Sequence, residues 1–260
     1  MSKRYEDLTF TDDFMFCRIM QYNEEICKEV TELLIGRKIG GIVKKDRQHS
    51  VDITPDGKGV RMDVYLEDDM NTIYNIEMQN SNYDNLPRRA RYYQSMIDVD
   101  LANRGMNYDE LNNSYVVFIN MFDLFGRGLP KYTFRNMCDE ARGVSLDDGA
   151  TKIFINATGF YDKMDAEMRA FLKYLMDCEA TSDLTKKIEN QVYQVKHDSM
   201  WRGDYMTLEE HYKIERAEGR AEGRVESVDN LVETMGLSVE EACKALKFSV
   251  QEYEKAKSSK

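Results

Sequence analysis

Twenty residues, Val60–Gln79, constrain the fold of this 260-residue chain more than any other stretch. Two runs, Val60–Glu67 and Thr72–Gln79, alternate apolar and polar residues around the polar link Asp68-Asp69-Met70-Asn71. Side chains alternate across a strand, so a period of two assigns each residue to a face. Val60, Met62, Val64 and Leu66 share one face with Tyr74, Ile76 and Met78, and that face points to a core. Arg61, Asp63 and Tyr65 share the other with Asn75, Glu77 and Gln79. A turn centred on Met70 pairs residues whose numbers sum to 140, which sets Asp63 directly opposite Glu77.

Opposed residues in an antiparallel pair have Cβ atoms only ~5 Å apart. Two carboxylates at that separation repel each other unless a cation bridges them. Magnesium suits such a pair, because it takes hard oxygen ligands and keeps waters for chemistry. The plain alternative is a half-exposed hairpin whose wet face carries ordinary polar residues. Helices predicted on either side of the hairpin weigh against it, since they enclose the polar face in a cleft.

The pattern around the hairpin is mixed. Apolar residues at helical spacing (Phe14, Ile19, Ile26, Val30, Leu33, Leu34) predict a helix over Thr11–Ile35, ended by Gly36. Gly40–Lys45 and His49–Thr54 read as strands, and Pro55-Asp56-Gly57-Lys58-Gly59 as a turn. A helix follows over Leu86–Asn103 with Pro87 in its first turn. Strands are expected at Tyr115–Phe122, Tyr132–Met137 and Lys152–Asn156; the first is nearly all apolar, as a central strand is. Helices at Glu167–Asp177 and Leu184–His197 and a long helical stretch from Leu208 complete the chain. The expected organisation is an α/β (α+β) core over 1–160, a helical extension over 161–207, a helical repeat or linker over 208–227 and a small helical tail over 228–260.

Composition narrows the function classes. Apolar residues make up 42% and charged residues 32%, values of a globular chain. No apolar run approaches the ~20 residues that span a bilayer, and no signal-peptide core follows the polar start, so a cytoplasmic protein is expected. Five scattered cysteines without Cys-x-x-Cys spacing fit buried thiols in a reducing compartment better than a disulfide frame or zinc site. The net charge of −11 opposes a coat-like nucleic-acid binder more than an enzyme with a local basic patch. Three dispersed histidines, and the absence of a Gly-x-Ser-x-Gly elbow or a phosphate-binding Gly-Lys-Ser/Thr loop, remove the commonest rival sites.

The strands Arg61-Met62-Asp63 and Ile76-Glu77-Met78-Gln79, in this order of elements, resemble a PD-(D/E)XK nuclease core. More closely, the chain resembles the recombination-promoting nucleases, also called PD-(D/E)XK family transposases. Further matching segments are Thr11-Asp12-Asp13-Phe14-Met15-Phe16, Arg88-Arg89-Ala90-Arg91-Tyr92-Tyr93, and the repeat that begins at Arg216. The resemblance reaches to about residue 225. It implies a restriction-endonuclease-like core, a central mixed sheet flanked by helices, followed by a helical C-terminal region. It implies a Mg²⁺-dependent DNA endonuclease, with Mn²⁺ as the substitute ion, acting in recombination, transposition, mobile-element or defence processes. Asp63 and Glu77 become metal ligands, with the Met78 carbonyl as a third. Gln79 stands where many relatives carry lysine, so a neutral amide replaces a charge there and positions water at most through hydrogen bonds. Asp13 becomes an accessory acid; it is equally a helix N-terminal charge favoured by the dipole. Arg89 and Tyr93, at i and i+4, share a helix face and either brace the acidic pair, meet a phosphate, or serve as a solvated arginine and a core tyrosine. Arg88 and Arg91 are peripheral phosphate contacts or solvent-facing charges. A nuclease-fold protein that no longer cleaves, serving as an oligomeric binding module, is the alternative.

Beyond the core, Arg-Ala-Glu-Gly recurs with period four, putting Arg216, Arg220 and Arg224 in one row, Glu218, Glu222 and Glu226 in another and Gly219 and Gly223 in a third. No Arg–Glu pair in the repeat falls at i+3 or i+4, and each glycine costs up to ~1 kcal/mol against alanine. Such a helix gains from a partner on its small-residue row, and a second copy of the chain is the natural one, with Leu208, Val225 and Val228 as apolar support; a solvated linker is the alternative. Val228–Met235 then reads as a helix stopped near Gly236, and Ser238-Val-Glu-Glu241 and Ser249-Val-Gln-Glu252 as capping boxes of two short helices, suited to packing or protein contact more than to DNA reading.

Overall fold

The structure is a computed structural model that describes residues 3–51, 60–82, 84–102, 106–160 and 164–258. The turn expected at 55–59 and the end of the helix expected at Asn103 lie outside those residues. A six-stranded mixed sheet organises the larger part of the chain. Its strands are β1 (Ile42–Val51), β2 (Val60–Asp68), β3 (Thr72–Gln79), β4 (Asn113–Asn120), β5 (Lys131–Phe134) and β6 (Ala150–Asn156), in the spatial order β1-β2-β3-β4-β6-β5. The first three form an antiparallel meander; β4 lies parallel to β3 and β6 parallel to β4; β5 closes the far edge antiparallel to β6. One continuous β1 joins the first expected strand to the start of the second, whose residues 52–54 lie outside the described residues.

The hairpin takes the expected register: Val64 faces Ile76, Tyr65 faces Asn75, Leu66 faces Tyr74 and Glu67 faces Ile73. Buried Asp68 fixes the turn, accepting hydrogen bonds from the Met70 and Thr72 amides at 3.0 Å each and from the Tyr74 hydroxyl at 2.9 Å. Asn71 supplies the left-handed residue the reversal needs, with φ 55°. Every residue of β3 is buried, polar positions included, so helices cover both faces of the strand. The face expected to border a cleft is itself buried along β3. It lies under α3 (Leu86–Leu101), where Tyr65, Ile73, Val116, Phe118 and Phe154 pack with Leu86, Ala90, Tyr93, Met96 and Ile97. Alternation reports which residues share a face, while a long helix decides how much water reaches it.

Other helices complete the layers: α1 (Asp13–Tyr22), α2 (Glu24–Ile35), α4 (Ala166–Asp177) and α5 (Asp183–His197), which pack among themselves while α1 also contacts β1 and β2. The single helix expected over Thr11–Ile35 is two. Asn23 ends α1 in an extended conformation, and its side-chain oxygen accepts from the Ile26 amide at 2.9 Å, capping α2. Gly36 closes α2 with φ 81°, as expected.

The described residues fall into two compact units, Glu6–His197 and a second made of the stretch from Asp198 onward with the residues up to Tyr5. The second unit is built on α6 (Ser199–Met235), with α7 (Val239–Ala245) and α8 (Val250–Ser258). The repeat and the segment expected as a separate helix over Val228–Met235 belong to one 37-residue helix. Tyr205, whose hydroxyl donates to the Lys3 carbonyl at 2.7 Å, fastens its first part, and Val225 and Val228 fasten its last part against Ala242, Cys243, Phe248 and Tyr253. The repeat between these anchors is exposed almost throughout. Both capping boxes form, Ser238 with Glu241 and Ser249 with Glu252. No helix among the described residues is long and apolar enough to cross a membrane.

Candidate active site

The backbone pairing of β2 with β3 ends at Val64 and Ile76. One residue further, the carboxylates take over the ladder. Asp63 donates its backbone N–H to Glu77 Oε1 at 3.0 Å, and Met78 donates its N–H to Asp63 Oδ2 at 3.4 Å. Each side chain is thus anchored on the backbone of the opposite strand, just beyond the paired rungs. Glu77 is 3% exposed and Asp63 half-buried.

They open onto a cavity of about 870 Å³. Asp13, Met78, Gln79, Arg88, Arg89, Arg91 and Tyr93 line it together with Asp63 and Glu77, so the residues proposed from the sequence for the site border one cavity. The cavity wall also holds Arg61, Asn80, Ser81, Asn85 and Tyr92. Arg61 was legible in the alternation, two residues before Asp63 on the same face; Asn80, Ser81 and Asn85 sit in or beside the β3–α3 link, where no periodicity marks them. The Asn80 side chain donates to the Thr11 carbonyl at 2.7 Å. That bond joins the end of β3 to the chain entering α1 and holds Asp13 at the cavity.

Burial sets the electrostatics. Desolvation and then the nearby Asp13 charge push the Asp63 carboxyl up to about 6, against the Met78 N–H, Arg61 and Arg89. Glu77 is pushed well above the usual carboxylate range by burial and by Asp63, with the Asp63 N–H and Arg89 opposing. Asp13 is exposed as a residue, yet its carboxyl sits among protein atoms; desolvation and Asp12 raise it, while Arg61 lowers it. Cys17, one turn after Asp13 and not singled out from the sequence, feels the same cluster: burial, then Asp63, Asp13 and Glu77, raise its thiol well above the ordinary value.

Arg89 is held in place beside this pair. Its Nη1 donates to Gln79 Oε1 and its Nη2 to the Tyr93 hydroxyl, each at 2.9 Å, and Nη2 lies 3.6 Å from Glu77 Oε2. Its guanidinium carbon sits 5.4 Å from the ring centres of both Tyr93 and Phe118. Gln79 in turn donates its Nε2 to the Ser81 carbonyl at 2.9 Å.

Among the described residues, no group of three or more His, Cys, Asp or Glu side chains is placed to hold a metal ion by itself. Two hard carboxylates on adjacent strands nevertheless suit a Mg²⁺-like ion, which keeps several waters and takes few protein ligands. Carboxylates kept from ionising by burial and by neighbouring acids are those a bound cation would stabilise.

No curated protein and no solved structure matches the chain. The sequence model of the family described as PD-(D/E)XK nuclease family transposase matches residues 11–217, which takes in the whole sheet, the cavity and the start of the Arg-Ala-Glu-Gly repeat. By that match over most of its length, the chain belongs to the PD-(D/E)XK nuclease family transposases.

Proposed function

We propose that the protein is a Mg²⁺-dependent DNA endonuclease that hydrolyses phosphodiester bonds in recombination, transposition or defence, with Mn²⁺ able to replace the magnesium. One observation carries this reading: Asp63 and Glu77 face one cavity from adjacent strands, in the segment that the family match covers, with four arginines on the same wall.

Asp63, Glu77 and the Met78 carbonyl would hold the ion. When bound, it supplies Lewis acidity at the scissile phosphate and a lower pKa for the attacking water. The protein's own residues do the rest. Arg61, Arg88 and Arg91, exposed along the cavity, neutralise phosphates and set the strand's path. Tyr93 and Gln79 hold Arg89 against the carboxylates. Asp13, kept at the cavity by the tie between Asn80 and Thr11, acts as an accessory acid. The local basic wall answers the objection raised by a net charge of −11.

Gln79 favours a second reading, a binding module that no longer cleaves, because its amide is engaged at both ends by Arg89 and Ser81. Incubating the purified chain with supercoiled plasmid in Mg²⁺, Mn²⁺ or chelator decides between them: nicking that requires the metal supports the nuclease, and intact plasmid in all three supports the module.

Self-association through α6 belongs to the same proposal, as does a place in the cytoplasm. Val225 and Val228 are buried in their own unit and cannot support the contact between copies expected of them. The face left for it is the row of Gly219 and Gly223, where an added Cβ would meet nothing within 4 Å.

A further inference from the structure

A cation, Arg89, stands beside Glu77, and the side chain two residues further along β3 is a neutral amide. The hydrogen bonds of Gln79 show where its capacity goes. Its oxygen accepts from Arg89 Nη1 and its nitrogen donates to the Ser81 carbonyl, both at 2.9 Å, and the residue is 8% exposed. An amide carries two N–H donors and one carbonyl. With one donor directed to the backbone and one lone pair holding a cation, half of that capacity is committed and the amide is fixed in orientation.

Arg89 keeps donors in reserve. A guanidinium carries five N–H donors, and two partners, Gln79 and Tyr93, take one donor each from its two terminal nitrogens. Its side chain is 31% exposed and lines the cavity. The rings of Tyr93 and Phe118 fix its plane. A planar fork held on three sides with donors left over is pre-organised for a phosphate oxygen, and stabilises developing charge without reorganising.

We propose that Arg89 is the cationic catalytic group of this site and that Gln79 is a positioning residue that acts only through it. The proposal rests on the nuclease reading: Arg89 donates to a non-bridging oxygen of the scissile phosphate as negative charge builds there. Gln79 holds the guanidinium between that oxygen and Glu77. Arg61, Arg88 and Arg91 bind substrate more peripherally.

A double-mutant cycle on the full chain tests it, read as single-turnover cleavage of duplex DNA in Mg²⁺. Arg89→Met should lower the rate by about 100-fold or more, the scale of losing a pre-organised donor. Arg89→Lys, which keeps the charge without the fork, should recover part of that loss. Gln79→Ala should cost about 10-fold in the wild-type background and nothing in the Arg89→Met background, since residues acting as one unit are non-additive. Gln79→Lys in the Arg89→Met background should restore about 10-fold, by returning a cation one side chain away. Equal losses from Gln79→Ala in both backgrounds would overturn the proposal, as would an Arg89→Met variant that cleaves at the wild-type rate.

An NMR measurement on metal-free protein separates this failure from failure of the nuclease reading. In ¹⁵N-arginine-labelled protein, the Arg89 terminal nitrogens should give separate signals that merge in Gln79→Ala. Separate signals unchanged by Gln79→Ala would overturn the positioning role in any case. A chain that never cleaves DNA would overturn the nuclease reading and, with it, the catalytic role of Arg89. A cleaving chain with additive losses would overturn the proposal and leave the nuclease reading standing.

Discussion

Asp63 and Glu77 replace the last rung of their own ladder: Glu77 Oε1 takes the Asp63 N–H at 3.0 Å, and Asp63 Oδ2 takes the N–H of the residue after Glu77 at 3.4 Å. Alanine at either position therefore removes a ligand and also leaves a backbone donor without its acceptor, which costs about 1–3 kcal/mol when buried. Isosteric variants separate the two effects. Asp63→Asn and Glu77→Gln should keep the shape of the strands while metal-dependent cleavage falls by about 100-fold or more. Purified variants compared on plasmid, with circular dichroism for the fold, check this; wild-type cleavage in either would remove the residue from the site.

The same burial has a thermodynamic signature in chelator. Asp63 titrates from about 6 in the fold against 3.8 as its reference, so between those values the folded state binds more protons than the unfolded one. Stability then falls as pH rises through that window and stays lower above it, by roughly 3 kcal/mol for a shift of about two units. Glu77 shifts in the same direction. Urea denaturation of wild type and of Asp63→Asn/Glu77→Gln at pH 4.5 and pH 7.5 should show the variant gaining on the wild type at the higher pH. Parallel losses in the two proteins would mean the pair carries no such cost. Mg²⁺ added at pH 7.5 should stabilise wild type and not the variant.

A third expectation concerns the turn after β6. A Cβ on Gly159 would come within 2.6 Å of Pro130 Cα and 2.7 Å of Pro130 N, both backbone atoms that no rotamer change moves. Gly159→Ala should destabilise the larger unit by about 1–3 kcal/mol. Thermal melting reads this as a drop of about 2–4 °C per kcal/mol for a unit of this size, and an unchanged midpoint would show that the loop moves aside.

The glycines of α6 give the opposite sign. Gly219 and Gly223 sit in a helix interior with open space where a Cβ would go. Gly219→Ala/Gly223→Ala should raise helicity and stability by up to ~1 kcal/mol per site in an isolated chain. Should two copies cross there, Gly219→Leu/Gly223→Leu would instead lower the oligomeric mass in light scattering. A full-length protein that is monomeric at working concentration would end the self-association reading.

The register of the hairpin was legible because alternation on two runs and one short link leave a single pairing, and both carboxylates followed from it. Arg89 and Tyr93 were legible as one helix face through their spacing. The split at Asn23 was not, because apolar spacing runs on through both helices and only the local bond from Ile26 to the Asn23 side chain breaks them. The full burial of Asn75, Glu77 and Gln79 was less legible: the flanking helices predict a cleft, and only the docking of α3 shows how deeply that face is buried. The bonds that tie Gln79 to Arg89 and Asn80 to Thr11 join separate elements, and no spacing rule reaches that far.

The turn held by Asp68 also bears on how such a chain can change over generations. With Asp68 accepting from Met70, Thr72 and Tyr74, the length of the link is locked to the pairing of the strands. Inserting or deleting one residue there would flip one strand's side chains to the opposite face and carry Asp63 away from Glu77. Substitutions across the outer surface of the sheet can accumulate gradually, whereas length changes in these four residues are all-or-nothing. A descendant with a five-residue link should therefore be sought among the inactive copies, however well its two acidic residues survive.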